Sequence, residues 1–420
     1  MNSGEARSVP VLSTGFTKRV AVPGSKSIAN RALICALLAD GESRVSNLPD
    51  GDDTASMLAA LPGLGAELSV VGDEARVTGV AGRPMHGEFD AGLAGTTSRF
   101  LCAVSALGDG ESVVTGAAPL KGRPFGALLY ALRELGARVD ADGDGLPARI
   151  TGPLRGGEVE LAADVSSQFV SALLLAGPCM AEGLSLRLTG PAVSRPYIDM
   201  TIAVMERFGA KVSETAGTVV VEPTGYRSAV VEVEPDASSA SYPAAIAALR
   251  AGQVLIDGLG ERSLQGDTAF RELLRSMGVA VEVTGDTTRV TGSEGALEPL
   301  VADLGQCSDL VPTFAVLAAF ANGTSRLTGI GFIRRKESDR IGDLAACLTR
   351  CGVRVIVEDD GLVIEGGKPH GARMPTHHDH RLAMAFGVLG CAVPGVLIED
   401  PDVVTKSWPG FWTMLETLRN

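Results

Sequence analysis

The sequence predicts an α/β protein made of six repeats of about 70 residues, in which sheets wrap around buried inner helices. Two recurring patterns predict this fold. The first is a helical stretch that ends in a glycine and continues into a strand-like run. Its glycines recur at intervals of about 70 residues, as a structural repeat requires: Gly65, Gly136, Gly209, Gly278 and Gly352.

The glycine of the first pattern is typical of the residue that follows a helix, where a left-handed backbone ends the helix and a strand can begin. The sixth copy of this helix is the stretch WPGFWTMLETLRN at 408–420. We therefore expect one such helix in each repeat, followed by a strand.

The second pattern lies half a repeat away from the first and begins with Ser, Thr or Asp, which are favoured helix N-caps. An Ala/Leu-rich helix follows, and it is apolar all round, which predicts that it is buried. Runs such as ESVVTG at 111–116 supply the strands between the helices. The six copies begin near Ser27, Thr96, Ser167, Ser238, Ser308 and Asp379.

Composition and charge exclude several classes of protein. The chain has 37 Lys and Arg against 50 Asp and Glu, a net charge of −13, which argues against a nucleic-acid binder with a broad basic face. No GxGxxG motif suggests a dinucleotide site. No long apolar run predicts a membrane span, and the polar start at 1–10 does not resemble a signal peptide. The seven scattered cysteines are expected to be reduced thiols of a cytoplasmic protein.

The predicted helix starts favour anion binding. Free N–H groups and the positive end of the helix dipole attract anions. If three repeats surround one pseudo-threefold axis, the starts of their inner helices converge, and an anion-binding cleft is expected in a protein that is acidic overall.

Basic residues lie at these helix starts in the first half of the chain. PGSKSIANRA at 23–32 places Lys26 between two serines and Arg31 one turn later, a composition that suits phosphate or carboxylate binding. In AGTTSRF at 94–100, Gly95 permits close backbone approach and Thr96 can cap the helix. Arg123 precedes a predicted helix in KGRPFG at 121–126. Each motif taken alone is equally compatible with a capped, solvated helix start.

Hydroxyl and amide groups gather in DVSSQF at 164–169 and SRPYID at 194–199. They suit a polyhydroxylated substrate. These candidate binding residues are Ser166, Ser167, Gln168 and Ser194.

Charged groups dominate the helix starts of the second half. Asp309 begins an apolar helix in CSDLVPT, where the dipole stabilises its anion. The HHDHR stretch at 377–381 raises the alternative of a metal cluster, but no Cys or carboxylate motif accompanies it, and we expect no metal. The remaining candidates are Lys336, Glu337, Arg340, Arg381 and Lys406.

Together these motifs resemble the 5-enolpyruvylshikimate-3-phosphate synthase family of enolpyruvyl transferases. The resemblance rests on GSKSIANRA, AGTTSRF, SSQF, DASSASYP, KESDR, DHRLAMAF and TKSWP in this order, and it covers residues 18–412. It implies a two-domain inside-out α/β barrel with three βαβαββ-like repeats per domain, at 20–235 and at 1–19 plus 236–420. It also implies transfer of the carboxyvinyl group of phosphoenolpyruvate to shikimate 3-phosphate by a monomer without cofactor, and inhibition by glyphosate.

The resemblance further implies roles for individual residues. Asp309 would be the base for the 5-hydroxyl, Glu337 the acid for the methylene carbon, and Lys26 a catalytic cation. The phosphoenolpyruvate ligands would be Lys26, Gly95, Arg123, Gln168, Arg340, Arg381 and Lys406. The shikimate 3-phosphate ligands would be Ser27, Arg31, Ser166, Ser167, Gln168, Ser194, Asp309 and Lys336.

Some positions depart from the family pattern, among them Leu93, Phe100 and Phe332. They leave open a specialised enolpyruvyl transferase with another acceptor. A UDP-N-acetylglucosamine enolpyruvyl transferase is a further alternative, although the stretch 117–123 lacks the reactive cysteine usual there. A noncatalytic repeat scaffold is the third, but it would have no use for Asp309 and Glu337.

Overall fold

In a computed structural model of the chain, the described residues are 6–162, 166–190 and 194–419. Residues 1–5 of the polar start and Asp164 and Val165 of the DVSSQF motif lie outside them. The chain divides into two compact units, which we call unit 1 (1–23 and 235–420) and unit 2 (24–234). The sequence expectation set these boundaries at 19/20 and 235/236.

The two units are built from short strands and helices. The helices are α1 Lys26–Leu38, α2 Asp52–Ala60, α3 Gly95–Ser105, α4 Ala118–Lys121, α5 Gly126–Glu134, α6 Ser167–Ala176, α7 Arg195–Arg207, α8 Ala237–Leu249, α9 Phe270–Ser276, α10 Val311–Ala318, α11 Arg340–Arg350, α12 His380–Ala392 and α13 Phe411–Arg419. Short 3-10 turns lie at Pro62–Leu64, Gly177–Cys179, Gly266–Ala269, Ser308–Leu310, Gly331–Arg335 and Pro401–Lys406.

The strands are two to six residues long. In chain order they are β1 Arg7–Ser8, β2 Thr17–Arg19, β3 Ala39–Asp40, β4 Glu42–Ser46, β5 Glu67–Val71, β6 Glu74–Thr78, β7 Glu88–Asp90, β8 Glu111–Thr115, β9 Arg138–Ala141, β10 Ala148–Thr151, β11 Gly157–Ala162, β12 Leu184–Thr189, β13 Val212–Thr215, β14 Thr218–Val221, β15 Tyr226–Arg227, β16 Val230–Glu232, β17 Gln253–Asp257, β18 Ala280–Thr284, β19 Thr287–Thr291, β20 Val301–Asp303, β21 Thr324–Thr328, β22 Arg354–Glu358, β23 Gly361–Glu365, β24 Arg373–Met374 and β25 Leu397–Ile398.

The second sequence pattern forms the inner helices, as predicted. In unit 2, α1, α3 and α6 pack on one another, and in unit 1, α8, α10 and α12 do the same. Their side chains are buried along nearly the whole helix, which is why the sequence is apolar on every face. These triplets form the centre of each unit.

The predicted N-caps are confirmed for some inner helices and wrong for others. Ser166, Asp236 and Asp379 accept hydrogen bonds from backbone N–H groups two or three residues later, so they cap α6, α8 and α12. The expectation that Thr96 caps its helix is wrong, because α3 begins one residue earlier with Ala94 at the cap position. The side chain of Thr96 is therefore available to another partner.

The first sequence pattern forms the outer helices, and its glycines have the predicted left-handed conformation. In each case the glycine N–H and the next N–H donate back to carbonyls of the last helical turn, which is the Schellman arrangement. A strand of the sheet follows each one. The φ values are 97° at Gly65, 106° at Gly136, 84° at Gly209, 85° at Gly278 and 80° at Gly352.

Five sheets share one topology. In each, the first and second strands are parallel, and the second and third, and the third and fourth, are antiparallel. Their strand orders are β16-β4-β6-β5, β7-β8-β10-β9, β11-β12-β14-β13, β2-β17-β19-β18 and β20-β21-β23-β22. This common pattern accords with the repeat predicted from the sequence.

The sixth repeat has the three-stranded sheet β24-β25-β1. Here β1 lies antiparallel to β25, with Arg7 opposite Ile398, and so occupies the third-strand position of the other sheets. Strands distant in sequence likewise complete one sheet of each unit, since β16 pairs with β4 in unit 2 and β2 with β17 in unit 1. No helix among the described residues is long and apolar enough to cross a membrane.

The left-handed glycines give a stability prediction. A β-carbon at Gly209 would meet only the aliphatic part of Arg227, at 3.6 Å, so Gly209→Ala tests the backbone conformation alone. We expect a loss of about 1 to 2 kcal/mol in the free energy of unfolding, measured by urea denaturation. Gly367→Ala is the control, because Gly367 has open space and lies outside the left-handed region. An equal loss in both variants would contradict the prediction.

Candidate active site

In unit 1 the charged side chains gather around Asp309, which lies in the 3-10 turn that precedes α10. Its Oδ1 accepts hydrogen bonds from Lys336 Nζ at 2.7 Å and from Arg340 Nη1 at 3.0 Å. Its Oδ2 accepts one from Arg381 Nη2 at 2.6 Å. The structure thus brings four predicted site residues into direct contact, at the starts of two inner helices and one outer helix.

Arg340 is held from the other side by two more carboxylates. Its Nε donates to Asp379 Oδ2 at 2.7 Å, and its Nη2 donates to Glu337 Oε2 at 2.7 Å. The side chain of Arg340 is 1% exposed and that of Asp379 is fully buried. Ser338 adds a hydrogen bond to Asp379 at 3.2 Å. The guanidinium is therefore fixed in one orientation next to the predicted acid and the predicted base.

The electrostatics of this cluster follow from burial and charge. Burial alone would favour the neutral acid, but the charges of Arg381, Lys336 and Arg340 hold the pKa of Asp309 well below its ordinary value. Burial lowers the pKa of Lys336, although Asp309 opposes this effect. Burial also disfavours the charge on Arg340, but Asp379, Glu337 and Asp309 raise its pKa above the ordinary value. Asp309 is thus an anion held by cations.

Two further features surround this cluster. The Lys336 ammonium lies 5.7 Å from the centre of the Phe332 ring and donates to Ser308 Oγ at 3.0 Å. Lys406 is buried at the end of the turn Pro401–Lys406, which packs against α12. The predicted cations of unit 1 therefore all lie at or beside helix starts.

In unit 2, the candidate residues lie at the starts of α1, α3 and α6. Lys26 Nζ donates to Asp53 Oδ2 at 2.8 Å, and the Asp53 side chain is 5% exposed. Gln168 Nε2 donates to Thr96 Oγ1 at 3.3 Å, which joins the first turns of α6 and α3. Ser166 Oγ accepts the Gln168 N–H at 3.2 Å, and Ser167 follows as the first helical residue.

Gly95 allows two guanidinium groups to reach the start of α3. A β-carbon at Gly95 would lie 2.8 Å from Arg123 Nη1 and 2.9 Å from Arg99 Nη1. Arg99 also donates to the Gly95 carbonyl at 2.8 Å and stacks over Phe125 at 4.4 Å. The glycine is needed because any side chain here would displace these groups.

Arg31 is buried, with its guanidinium among hydroxyl and carbonyl oxygens. Its guanidinium donates to Thr201 Oγ1 at 2.7 Å, to the Ser27 carbonyl at 2.8 Å and to Ser171 Oγ at 3.0 Å. Burial lowers the pKa of Arg31 to about 10. This arrangement ties α1 to α6 and α7.

The remaining predicted residues are Ser194 and the histidines. Ser194 stands at the N-cap position of α7 with a left-handed φ of 55° and is 5% exposed. His377 approaches Asp343 at 3.6 Å, His378 approaches Asp400 at 3.1 Å, and His380 is buried. Over the ranges the structure describes, no group of three or more His, Cys, Asp or Glu could hold a metal ion.

Two carboxylates that hold the cations were not predicted from the sequence. Asp53 binds Lys26, and Asp379 binds Arg340. Asp379 stands in the DHR motif, where the sequence predicted it only as the start of an inner helix. It also accepts a hydrogen bond from Arg340. Asp53 stands at the start of an outer helix, a position that carries site residues in other repeats. That repeat position was the one signal that could have identified it.

Comparison with known proteins agrees with the resemblance. The EPSP synthase family, described as 3-phosphoshikimate 1-carboxyvinyltransferase, matches the chain over residues 13–415. The 3-phosphoshikimate 1-carboxyvinyltransferase of Shewanella piezotolerans is 39% identical over 95% of this chain and 96% of its own length. The 3-phosphoshikimate 1-carboxyvinyltransferase of Syntrophobacter fumaroxidans is 41% identical over 97% of this chain and 98% of its own length. A solved EPSP synthase from Acinetobacter baumannii superimposes with a TM-score of 0.83, at 26% identity, over 99% of this chain and 98% of its own.

The ion-pair cluster predicts that Asp379 is needed for stability. Asp379→Asn removes the buried negative charge that faces Arg340, and breaking a buried pair in this way is strongly destabilising. We expect a loss of about 2 to 5 kcal/mol in the free energy of unfolding, measured by urea denaturation.

The matched control for this prediction is Asp400→Asn. Asp400 is 47% exposed and pairs with the exposed His378, so its loss should cost less than about 1 kcal/mol. Similar losses in both variants would show that burial of the Asp379–Arg340 pair does not matter.

Proposed function

Because the chain belongs to the EPSP synthase family, we propose that the residues at its helix starts carry the reaction of a 3-phosphoshikimate 1-carboxyvinyltransferase. The protein is a transferase of the shikimate pathway, and its substrates are phosphoenolpyruvate and shikimate 3-phosphate. The carboxyvinyl group moves to the 5-hydroxyl of shikimate 3-phosphate, and phosphate is released. The observation that carries the assignment of roles is the contact of Asp309 with three cations, next to Glu337.

The proposed ligands follow the chemistry of the two substrates. Both are small polyanions, so cations and backbone N–H groups at helix starts suit them. For phosphoenolpyruvate we propose Lys26, Gly95, Arg123, Gln168, Arg340, Arg381 and Lys406. For shikimate 3-phosphate we propose Ser27, Arg31, Ser166, Ser167, Gln168, Ser194, Asp309 and Lys336.

A substrate anion would bind the cations that Asp309 contacts in the structure. A phosphate or carboxylate bound to Arg340, Arg381 and Lys336 neutralises the charges that lower the pKa of Asp309. Asp309 then becomes a stronger base at the moment when the 5-hydroxyl is in place. The ion pairs in the structure are therefore a resting arrangement that substrate binding exchanges for a reactive one.

Glu337 is placed to act as the acid by the same logic. It accepts a hydrogen bond from Arg340 Nη2 at 2.7 Å, so it lies beside a cation that we propose as a phosphoenolpyruvate ligand. In its protonated form Glu337 is the proposed proton donor. It then donates the proton to the methylene carbon of phosphoenolpyruvate.

The chemical sequence uses these two groups in turn. Protonation of the methylene carbon by Glu337 makes the adjacent carbon electrophilic. The 5-hydroxyl attacks that carbon as Asp309 accepts its proton, and a tetrahedral intermediate forms. Loss of phosphate together with a proton from the methyl group restores the double bond. Lys26 and the arginines stabilise the negative charge on the departing phosphate.

Architecture, compartment, oligomeric state and cofactor requirement form the second part of the proposal. We propose that each unit is an inside-out barrel of three repeats, with the inner helices enclosed by the sheets. We also propose a cytoplasmic monomer that needs no metal or organic cofactor. Support for the compartment comes from the seven cysteines, all of them free thiols that are buried or half-buried.

Acid–base assignment gives the first functional prediction. Asp309→Asn and Glu337→Gln should each lower turnover about 10²- to 10⁴-fold, the range for a lost general base or acid. The assay is phosphate release from phosphoenolpyruvate in metal-free buffer, with and without shikimate 3-phosphate. Near wild-type turnover in either variant would remove that residue from its role.

The same assay with other hydroxylated acceptors tests the acceptor. Release with shikimate 3-phosphate alone supports the proposal. Release only with another acceptor would identify a diverged enolpyruvyl transferase, and Phe332 beside Lys336 would then be the first residue to examine.

The second functional prediction concerns Lys26. Lys26→Met removes the cation but keeps most of the side-chain volume, so productive binding of phosphoenolpyruvate should be lost. Its KM should rise by at least about tenfold, the effect of losing one charged hydrogen bond of roughly 1.5–3 kcal/mol. Lys211→Met is the matched control, because Lys211 is 70% exposed on the surface of the same unit. An unchanged KM in Lys26→Met would exclude Lys26 from the site.

A further inference from the structure

Arg31 in α1 is a buried cation whose hydrogen-bond partners are all neutral. The residue is 2% exposed, and no carboxylate pairs with its guanidinium among the residues that the structure describes. Its partners are the hydroxyls of Thr201 and Ser171 and the backbone carbonyls of Ser27 and Tyr197. Polar atoms therefore surround the charge without neutralising it.

The buried arginine of unit 1 is held in a different way. Arg340 donates to the carboxylates of Asp309, Asp379 and Glu337, which compensate its charge. A buried charge is costly to keep when no opposite charge accompanies it. The surroundings of Arg31 therefore suit a cation whose counter-charge is supplied by an anionic ligand.

The protons of the two hydroxyls around Arg31 can be assigned. Thr201 Oγ1 donates its proton to the Tyr197 carbonyl at 2.7 Å and accepts the Arg31 Nε–H at 2.7 Å. The hydroxyl oxygens of Thr201 and Ser171 are 2.8 Å apart, so Ser171 is the donor of that pair. Ser171 Oγ in turn accepts a hydrogen bond from Arg31 Nη2 at 3.0 Å. Both hydroxyl oxygens thus present lone pairs to the guanidinium.

This hydroxyl pair determines the orientation of the guanidinium plane. An arginine has five N–H donors in fixed directions. Nε and Nη2 donate to the hydroxyls on α7 and α6, and Nη2 also reaches the Tyr197 carbonyl at 3.3 Å. Nη1 donates to the Ser27 carbonyl at 2.8 Å, and its second N–H has no partner within the described ranges of the chain. That nitrogen contacts the backbone of a proposed shikimate 3-phosphate ligand.

Two aromatic rings complete the neutral surroundings of the guanidinium. Its Cζ lies 5.4 Å from the centre of the Phe100 ring and 5.9 Å from that of Tyr197. Ring faces attract a cation but carry no net charge. They stabilise Arg31 and leave its positive charge uncompensated.

We propose that Thr201 and Ser171 are positioning residues for Arg31, which direct its guanidinium to an anionic group of shikimate 3-phosphate without neutralising its charge. A carboxylate at either position would hold the guanidinium but would also compete with the substrate for it. Hydroxyls fix the direction and leave the charge to the substrate. The inference rests on the proposed role of Arg31 as a shikimate 3-phosphate ligand.

The first test is Thr201→Val, which keeps the shape of the side chain and removes the acceptor of the Arg31 Nε–H. The KM for shikimate 3-phosphate should rise about five- to twentyfold, because the guanidinium loses a charge-assisted hydrogen bond that orients it. The KM for phosphoenolpyruvate, and turnover at saturating shikimate 3-phosphate, should change less than about twofold. The assay is phosphate release from phosphoenolpyruvate.

Thr201→Ser and Thr288→Val are the matched controls. Thr201→Ser keeps the hydroxyl, so its KM for shikimate 3-phosphate should stay within about twofold of the wild-type value. Thr288 in unit 1 is equally buried, and its hydroxyl donates to the Leu259 carbonyl at 2.6 Å. Thr288→Val should leave both KM values unaltered. An equal KM for shikimate 3-phosphate in Thr201→Val and Thr201→Ser would overturn the inference.

Ser171→Ala is a second variant, and it keeps the inference testable if Thr201→Val does not fold. It removes the acceptor of the Nη2 bond, so the KM for shikimate 3-phosphate should rise about three- to tenfold with the same split between substrates. A merely structural role predicts instead a loss of turnover at saturation with both KM values unchanged. That outcome would contradict the positioning role.

Binding without catalysis gives an independent readout. A ligand that binds the folded protein raises its melting temperature according to its affinity. The rise caused by a fixed concentration of shikimate 3-phosphate should be smaller in Thr201→Val and Ser171→Ala than in the wild-type protein and in Thr288→Val. A rise of wild-type size in the two positioning variants would count against the inference.

Arg31→Met separates this inference from the assignment on which it rests. If Arg31→Met keeps the wild-type KM for shikimate 3-phosphate, the ligand role of Arg31 fails and the positioning role fails with it. If Arg31→Met raises this KM and Thr201→Val does not, Arg31 remains a ligand and only the positioning role is excluded. If the inference is correct, Thr201→Val should add less than about twofold to the KM of Arg31→Met, because both changes remove one interaction.

Discussion

Burial of several cations at the starts of helices is the constraint on which the site of unit 1 depends. A charge removed from water costs several kcal/mol unless an opposite charge and hydrogen bonds replace its hydration. Arg340 is 1% exposed, and it is surrounded by Asp309, Asp379 and Glu337. The same Asp309 also contacts Lys336 and Arg381. The carboxylates thus make it possible to keep the cations in place, and the fixed cations in turn make the site ready for an anionic substrate.

This constraint explains how a protein with a net charge of −13 can bind two polyanions. Local charge decides the affinity for a small ligand, and overall charge does not. Lys26, Arg340 and Arg381 lie in the first turns of α1, α11 and α12, where the backbone also favours anions. A substrate that displaces Asp309 from its cations therefore exchanges one set of charged contacts for another.

Local features of the fold were predictable from the sequence, and long-range partners were not. The left-handed glycines and the starts of the inner helices depend on a few neighbouring residues, so their repeat pattern located them. The pairing of Lys26 with Asp53, 27 residues away, depends on how α2 packs against α1. The motif at 23–32 predicts Arg31 as an anion ligand, but it does not show which groups surround the guanidinium. Its burial against Thr201, 170 residues later, is set by the packing of α7 on α1.

The repeat also explains why related positions can perform different chemistry. In several repeats a residue near the start of an outer helix contacts the start of an inner helix, as Asp53, Asp267 and Arg340 do. The partner differs between repeats: Asp53 accepts a hydrogen bond from the Lys26 ammonium, whereas Asp267 accepts one from the Ser238 hydroxyl. An exchange of one partner residue changes the charge at that position without changing the backbone. A site with an acid, a base and several anion ligands can therefore arise from one repeated scaffold through substitutions at helix starts alone.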